Sequence, residues 1–411
     1  MQASHIARPA KWDTNMRRPG IGARMDAHAM PSESIAPSLG GPTGQFAPAY
    51  RVLNEAIASQ AFPGCAFGVL AKGRVVLNDA LGRFTYEADS PAVEPGTVFD
   101  LASVTKVVAT TAMAMLLRQR GQLDLDTTLG DVLPGFVVGR EPGSGARHVT
   151  LRNLLAHNSG LPAYVEFFRT LRTPAALMHA CLRLPLDAEP GTRAEYSDPG
   201  FILLGKALEV TAQEHMRSFL QREVFGPLGL QSTDFCPPAV MRSAIPPTEE
   251  DTRFRKRVIQ GEVQDENAWV LKGVSGHAGL FSNVSDLLRF SQEILRAVNP
   301  VPSSGVPPPG LFTRETVEAF AQRQPPASSS RAIGWDTPSD NSSAGVLFSK
   351  HSIGHLGYSG CSLWIDLDAS VAVVLLTNRT WPDRESQLIR QVRPAFHNAV
   401  RQALESSAAH R

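Results

Sequence analysis

The chain has 411 residues, a formal net charge of +1, 43% hydrophobic residues and 19% charged residues. A charge so close to neutral argues against nucleic acid or an anionic membrane surface as the main partner. No apolar run reaches the roughly 18 residues that a transmembrane helix needs. The length and composition are those of a globular protein with a sizeable core.

The first 46 residues are rich in Met, Arg, Pro, Gly and Ser and show little periodicity. We interpret residues 1–46 as a disordered leader, because such a composition buries little apolar surface. The leader lacks the apolar stretch of a secretory signal peptide, so we expect a cytoplasmic protein. A periplasmic location would require a misassigned start, for which Met16, Met25 and Met30 are alternatives, although none of them exposes a signal peptide.

Predicted strands lie near both ends of the chain. After an amphipathic helix over 47–61, two β-rich runs at 65–70 and 74–78 flank a short glycine-containing loop and predict a hairpin. A second hairpin is predicted from 361–365 and 371–376. The last of these runs is apolar on both faces, which predicts a central strand. A closing helix is predicted over 386–406.

Most periodic segments between about 124 and 330 are helical, and the amphipathic stretch 285–297 is a clear case. We therefore predict an α+β fold: an antiparallel β-sheet flanked by N- and C-terminal helices, with an inserted, mostly helical domain. The predicted sheet domain combines 47–130 with 331–408, the helical domain covers 131–330, and an active site is expected between them.

Ser103 and Lys106 open a small, apolar segment, 107–117, that we predict to be a buried helix. Their spacing places both side chains on one face. A serine becomes a nucleophile when a base removes its proton, and a lysine can be that base if burial or a nearby cation lowers its pKa. Unpaired N–H groups at the helix start can bind an oxyanion. Ser-x-x-Lys also occurs by chance, so this pair alone does not identify a site.

Two further stretches carry candidate residues. Tyr196-Ser197-Asp198 precedes a predicted helix, and a tyrosine near a lysine can act as a general base if its pKa falls. His355-Leu356-Gly357-Tyr358-Ser359-Gly360 precedes the second hairpin, where a glycine on a strand edge leaves room for a substrate backbone. The structural alternatives are a helix N-cap in the first stretch and a glycine-rich turn in the second.

His277 lies among glycines in Gly276-His277-Ala278-Gly279, which indicates close backbone approach, and its role stays open. We expect no metal and no cofactor. The four cysteines are widely scattered, with no C-x-x-C pair, and the chain contains no H-E-x-x-H. His351 and His355 are four residues apart, but their glycine-rich context argues against a helical metal-binding pair.

Ser103-Val104-Thr105-Lys106, Tyr196-Ser197-Asp198 and His355-Leu356-Gly357, in this order, resemble the three motifs of the serine β-lactamase and penicillin-binding protein superfamily. Their spacing is similar to that of its class C branch, as are the stretches 154–162 (LLAHNSGLP) and 375–379 (LLTNR). The resemblance covers about 47–405.

A more particular likeness involves 263–268 (VQDENA) and 273–279 (GVSGHAG). These stretches resemble the branch that contains penicillin-binding protein 4B and the exo-acting N-acetylmuramoyl-L-alanine amidases. The substrate that this likeness implies is a peptidoglycan-derived muropeptide.

The resemblance implies an acyl-enzyme mechanism. Ser103 would attack a carbonyl, Lys106 and Tyr196 would transfer protons, and water would release the acyl group. The backbone N–H groups of Ser103 and Tyr358 would form the oxyanion hole. The candidate substrate-binding and oxyanion residues are Asp198, His355, Gly357, Tyr358 and His277.

Two departures from the class C pattern bear on the substrate. Asp198 replaces the usual asparagine, and His355-Leu356-Gly357 replaces K-T-G. A mostly neutral histidine binds a β-lactam carboxylate less well than a lysine does. We therefore expect a metal-independent serine hydrolase that cleaves an amide or ester, in the manner of an amidase or D,D-peptidase.

Three alternatives stay open at this point. A carboxylesterase of the same fold is the first, because fold does not fix substrate. The second is a non-catalytic protein that senses muropeptides or penicillin, although such a protein has no need of Ser103, Lys106 and Tyr196 together. A class C β-lactamase is the third and is disfavoured by His355. The partner is thus a small-molecule or muropeptide substrate, and the oligomeric state is not predicted.

Overall fold

The computed structural model describes residues 43–300 and 310–409. Its strands, in chain order, are β1 (Gly64–Ala71), β2 (Arg74–Gly82), β3 (Phe99–Asp100), β4 (Asp234–Phe235), β5 (Pro247–Asp251), β6 (Arg257–Gln260), β7 (Leu280–Ser282), β8 (Ser352–Leu356), β9 (Ser362–Asp366) and β10 (Val371–Thr377).

The helices of the described residues are α1 (Ala47–Ala58), α2 (Ala112–Gln119), α3 (Leu129–Val132), α4 (Leu151–Leu155), α5 (Pro174–Leu182), α6 (Asp198–Ala212), α7 (Met216–Leu220), α8 (Gly226–Leu228), α9 (Glu266–Val270), α10 (Val284–Val298), α11 (Arg314–Ala321) and α12 (Ile389–Ala409). Ala102–Val104 is a 3₁₀ turn, and the π-helical segment Lys106–Thr111 leads directly into α2.

The main sheet is antiparallel and joins both ends of the chain in the order β2-β1-β10-β9-β8. Both predicted hairpins are present. Lys72 and Gly73 connect β1 to β2 with φ angles of 51° and 76°, the left-handed pair that a two-residue hairpin turn requires. As predicted, β10 is central, and all seven of its residues are buried.

Side chains of β1 alternate between two apolar layers. Phe67 and Val69 pack in the layer formed with α1 and α12, whereas Ala66 and Leu70 pack in the layer that contains α2 and α10. This alternation follows from the period of two in a β-strand. The sheet is therefore covered by helices on both faces, which confirms the predicted α+β fold.

Two small sheets in the middle of the chain were not predicted. β7 pairs with both β3 and β4, and β5 pairs with β6. The β3–β7 pairing aligns Phe99 with Ser282 and Asp100 with Phe281. It therefore fixes the segment just before Ser103 against a segment more than 180 residues further along the chain.

One predicted boundary differs from what the structure contains. Residues 43–46, which the sequence assigned to the leader, form a turn in which Phe46 is fully buried; residues 1–42 lie outside the described part of the chain. The division into a sheet domain and a helical domain stays a prediction. One apolar cluster contains both Met115 and Leu204, on opposite sides of the predicted boundary.

Among residues 43–300 and 310–409, no helix combines the length and the apolar character that crossing a bilayer requires.

Gly68 allows α10 to lie close to the sheet. A Cβ atom at this position would be 2.4 Å from Val284 Cγ1 and 2.9 Å from Leu288 Cδ1. We expect Gly68→Ala to lower the free energy of unfolding by about 1–3 kcal/mol, because the extra methyl group overpacks this interface. The measurement is chemical or thermal denaturation of the purified variant followed by circular dichroism.

Gly96→Ala is the matched control, because a Cβ atom there has no neighbour within 4 Å. Its stability should stay equal to the wild type or rise slightly, as a Gly→Ala change restricts the unfolded chain. Equal stability of the two variants would contradict the close packing of α10 on β1.

Candidate active site

The turn that carries Ser103 is fixed by hydrogen bonds on both sides. Asp100 Oδ1 accepts from the N–H of Ala102 at 2.8 Å, and the hydroxyl of Thr105 donates to Ala102 O at 2.6 Å. Ala102 has φ of 46°, a strained value for a residue with a Cβ atom. The half-buried Ser103 follows directly, so its position is set by a constrained backbone.

Lys106 is fully buried, and its ammonium group contacts three acceptors. Nζ lies 3.1 Å from Ser103 Oγ, 2.7 Å from Asp198 Oδ1 and 2.9 Å from the carbonyl oxygen of His277. An ammonium group has three N–H donors, so this set matches its full hydrogen-bonding capacity.

The charge state of Lys106 differs from the sequence-based expectation. Burial by itself lowers the pKa of Lys106, but the charge of the Asp198 carboxylate, with the hydrogen bonds of Lys106 to Asp198 and Tyr196, outweighs burial, and the net pKa is raised. The lowered pKa that would make Lys106 a ready base is therefore absent from the resting site. The reason is Asp198, which stands where an uncharged asparagine would exert no such effect.

Tyr196 lies beside Lys106, with its ring centroid 4.7 Å from Nζ, and its hydroxyl interacts with both Lys106 and Ser103. Burial raises the pKa of Tyr196 more than the charge of Lys106 lowers it. The tyrosine is therefore a neutral phenol in the resting site, and not the phenolate that a lowered pKa would give.

The Tyr196 loop is anchored by His157 and Ser197. The Ser197 side chain caps α6 by accepting from the N–H of Gly200 at 3.0 Å, so the helix begins with Asp198 pointing its carboxylate at Lys106. His157 Nδ1 accepts from the N–H of Ser197 at 3.0 Å, and its ring centroid lies 4.6 Å from that of Tyr196. These contacts fix both Tyr196 and Asp198 relative to Lys106.

His355 is buried and offers no hydrogen-bond donor to the site. Its Nδ1 lies 2.8 Å from the carbonyl oxygen of Leu356, which only accepts, so Nδ1 carries the proton. Burial is the main reason that the pKa of His355 lies well below its usual value, and the ring is therefore neutral. Nε2 is a buried acceptor without a partner in the described chain, and the ring centroid is 6.0 Å from that of Tyr196.

The turn after β8 touches the Ser103 turn directly. A Cβ atom on Gly357 would lie 2.4 Å from the carbonyl oxygen of Leu101, so only glycine permits this approach. The hydroxyl of Ser359 donates to Asp100 O at 2.8 Å. The buried Arg393 donates to the carbonyl oxygens of Gly357, Gly360 and Cys361, which fixes the turn from its other side.

Tyr358 lies at the mouth of the site with half of its surface exposed. The guanidinium carbons of Arg379 and Arg384 lie 4.4 Å and 5.8 Å from its ring centroid, within cation–π range. The aromatic ring of Tyr358 is thus held by two guanidinium groups, of which Arg379 is buried and Arg384 is paired with Glu249 and Glu266.

His277 contributes through its backbone. Its carbonyl oxygen accepts from Lys106, while the imidazole is 1% exposed and lies between two partners. Nε2 is 2.8 Å from Asp265 Oδ1, and Nδ1 is 2.8 Å from Ser275 Oγ. Burial by itself raises the pKa of Asp265, but the contact with His277 lowers it to about 2, so Asp265 is ionised. The imidazole therefore orients the loop that presents the carbonyl group.

An ionic network forms one wall of the site. Arg384 contacts the buried carboxylates of Glu249 at 2.6 Å and Glu266 at 2.9 Å. The side-chain amide of Gln264 donates to Glu249 at 3.2 Å, and the backbone N–H of Gln264 donates to Asp100 Oδ2 at 2.7 Å. This wall is therefore connected to the turn that carries Ser103.

The structure brings every predicted site residue into one place, and three further side chains belong with them: His157, Asp265 and Arg331. His157 and Asp265 lie inside the stretches 154–162 and 263–268, which supported the resemblance without receiving a role. Arg331 had no local signal in the sequence. Its guanidinium carbon lies 5.4 Å from the ring centroid of Tyr196.

In the described part of the chain, no group of three or more His, Cys, Asp and Glu side chains has an arrangement that could bind a metal ion.

Comparison with known proteins gives a consistent family. The sequence profile of the family described as Beta-lactamase matches residues 50–395. An N-acetylmuramyl-L-alanine amidase of Bacillus subtilis (strain 168) is 30% identical, over 77% of each chain. A putative D-alanyl-D-alanine carboxypeptidase of Salmonella typhi is 28% identical, over 77% of this chain and 79% of its own.

Solved structures show the same fold. EstCE1, a hydrolase with promiscuous acyltransferase activity, superposes with a TM-score of 0.68 at 24% identity, covering 86% of this chain and 98% of its own. A penicillin-binding protein homologue from Caulobacter crescentus also gives a TM-score of 0.68, at 17% identity, covering 87% of this chain and 97% of its own.

Removal of the cation from the ionic wall should destabilise the protein in a pH-dependent way. In Arg384→Met, Glu249 and Glu266 would lie buried without their counter-charge, at a cost of about 3–5 kcal/mol at pH 8. The pKa of Glu266 is already raised, chiefly by burial, and would rise further. A carboxyl group whose pKa is higher in the folded protein destabilises it as pH rises, so the loss should be smaller at pH 5.

Thermal unfolding of the wild type and Arg384→Met at pH 5 and pH 8 measures this difference. Arg51→Met is the control, since Arg51 is an exposed arginine of α1. A loss of equal size at both pH values would contradict the proposed origin of the effect.

Proposed function

The chain belongs to the Beta-lactamase family of serine hydrolases, and on this basis we propose that Ser103 forms an acyl-enzyme during hydrolysis of an amide or ester. The main support for this proposal is the position of Lys106 Nζ, which lies 3.1 Å from Ser103 Oγ and donates to two other acceptors.

Those two acceptors determine which position on Lys106 Nζ faces Ser103. The carboxylate of Asp198 and the carbonyl group of His277 can only accept, so each uses one N–H of Lys106. The third position on Nζ faces Ser103 Oγ. As an ammonium group Lys106 donates there; as a neutral amine it directs its lone pair there and accepts the proton of Ser103. Acylation then draws on the neutral form of Lys106, whose population rises with pH.

Tyr196 is the second member of the proton-transfer pair. Its hydroxyl interacts with both Ser103 and Lys106, so it can pass a proton from this pair to the leaving group. The oxyanion of the tetrahedral intermediate would bind to the backbone N–H groups of Ser103 and Tyr358. The close approach of Gly357 to Leu101 supports this role, because it brings the two backbone segments together. Water then releases the acyl group.

The substrate that we favour is a muropeptide cleaved at an amide bond. The names of the two curated relatives, an amidase and a carboxypeptidase, support this class. In the cytoplasm, the compartment expected from the sequence, such substrates would be recycled cell-wall fragments. A carboxylesterase is the second candidate, because the neutral His355 requires no charged group on the substrate. The same neutrality disfavours a β-lactamase.

Fluorophosphonate labelling tests the nucleophile. We expect one adduct per chain on the wild type and none on Ser103→Ala, since the probe reacts with activated serine hydroxyl groups. Intact-mass spectrometry measures the adduct, and Ser275→Ala, which removes a serine hydroxyl in contact with the imidazole of His277, is the control. A labelled Ser103→Ala, or an unlabelled wild type, would exclude Ser103 as the activated nucleophile.

On unlabelled wild-type enzyme, turnover of muropeptides, p-nitrophenyl esters and a chromogenic cephalosporin separates the candidate substrates. We expect the highest kcat/KM for the muropeptide and the lowest for the cephalosporin. A muropeptide that binds but is not hydrolysed, together with rapid ester hydrolysis, would favour the carboxylesterase.

Asp198→Asn should change the pH dependence of labelling. Loss of the carboxylate removes the main charge that raises the pKa of Lys106, so this pKa should fall. The labelling rate rises as Lys106 loses its proton, and its rising limb should therefore move to lower pH, by about one unit or more. Asp126→Asn, which changes an exposed carboxylate, is the control. A limb that stays in place or moves to higher pH would argue against Lys106 as the base.

A further inference from the structure

The site lacks a cation at the position where many relatives have a lysine. His355 occupies that position, and its single donor is used by the carbonyl group of Leu356. An uncharged ring that offers only a lone pair attracts N–H or O–H groups of a ligand and does not attract an anion. If the substrate carries a carboxylate near the scissile bond, another residue has to bind it.

Most cations around His355 are already occupied. Lys106 has three acceptors. The buried Arg393 donates to three carbonyl groups of the turn after β8. Arg379 donates to the carbonyl oxygens of Tyr358, Arg384 and Ser386. These side chains donate their hydrogen bonds to acceptors within the protein and therefore leave few donors for a ligand.

Arg331 differs from these cations. In the described residues, no acceptor lies within hydrogen-bond distance of its guanidinium group. The nearest carboxylate oxygen, Asp336 Oδ2, is 3.7 Å away, and Asp336 itself accepts from Ser330 and Thr337 through its other oxygen. The Arg331 side chain is 23% exposed, so its donors are accessible but not fully solvated.

The backbone places Arg331 beside His355. Arg331 and Asp336 form a bridge across a tight turn, and Asp336 pairs in turn with Gly354 of β8 through two hydrogen bonds of 2.9 Å. This turn therefore lies along the edge of the strand that carries His355. The guanidinium group lies over the ring of Tyr196, and its positive charge helps to lower the pKa of His157 and of His355.

We propose that Arg331 binds a carboxylate of the substrate next to the bond that Ser103 attacks, and so supplies the positive charge that His355 lacks. A planar guanidinium group matches a carboxylate with two parallel hydrogen bonds, and binding would satisfy donors that, among the described residues, have only the longer ion pair with Asp336. The inference rests on the proposed function, and it specifies a substrate with a carboxylate, as a muropeptide has.

Two boronic acids test this role without turnover. The probes are 3-carboxyphenylboronic acid and its methyl ester, which share their reactive group and differ by one charge. Each is measured by how far it slows fluorophosphonate labelling of Ser103. We expect the wild type to bind the carboxylate probe about 10-fold more tightly or better, the effect of one charge-assisted hydrogen bond.

In Arg331→Met this preference should fall to near one, while the affinity for the methyl ester changes by about twofold or less. Arg331→Lys should retain part of the preference, since it keeps the charge without the planar fork. Arg314→Met, which removes an arginine from α11, should behave as the wild type. If Arg331→Lys restores part of the preference for the carboxylate probe, the preference comes from the charge at this position and not from a structural role of Arg331.

Equal binding of both probes by the wild type, or equal weakening of both in Arg331→Met, would overturn the role of Arg331 and leave Ser103 as the nucleophile. Labelling that neither probe slows would overturn it as well. A wild type that is not labelled at all removes the proposed function, and this inference with it.

Discussion

The site depends on the need to satisfy a buried ammonium group. Lys106 has no contact with solvent, and its three N–H groups require three acceptors, because an unpaired charge in the interior is strongly destabilising. The acceptors come from three segments of the chain: the Ser103 turn, the start of α6 and the loop that precedes β7. Their convergence on one nitrogen atom fixes the nucleophile, Asp198 and the His277 carbonyl relative to one another.

Charge in the site is separated by position. Asp198 pairs with Lys106, and Asp265 contacts His277, whose carbonyl group accepts from Lys106. Arg331 lies against Tyr196, and Arg379 and Arg384 lie against Tyr358. The imidazoles of His157 and His355 have a pKa well below its usual value, chiefly because they are buried, and stay neutral. Arg379 is buried and Arg384 is paired with Glu249 and Glu266, whereas Arg331 is partly exposed.

The sequence was sufficient where the information is local. Alternating and continuous apolar runs predicted both hairpins and the central position of β10, and the three-residue spacing placed Ser103 beside Lys106. β3, β4 and β7 were missed because two or three residues carry no periodicity. The direction of the Lys106 pKa could not be predicted, since it depends on Asp198, 92 positions away in sequence. Arg331 was missed for the same reason: its neighbour His355 is reached only through the bridges that Asp336 forms.

The order of strands in the main sheet constrains when the site can form. β1 pairs with β10, so that Cys65 lies opposite Thr377, and contacts between such distant residues form slowly because a long loop has to close first. Gly357 and Ser359, which abut the Ser103 turn, also belong to the late part of the chain. During synthesis on the ribosome, Ser103 emerges long before these partners. The nascent chain therefore carries an incomplete nucleophile site until its last strands have been released, which delays hydrolytic activity until the fold is closed.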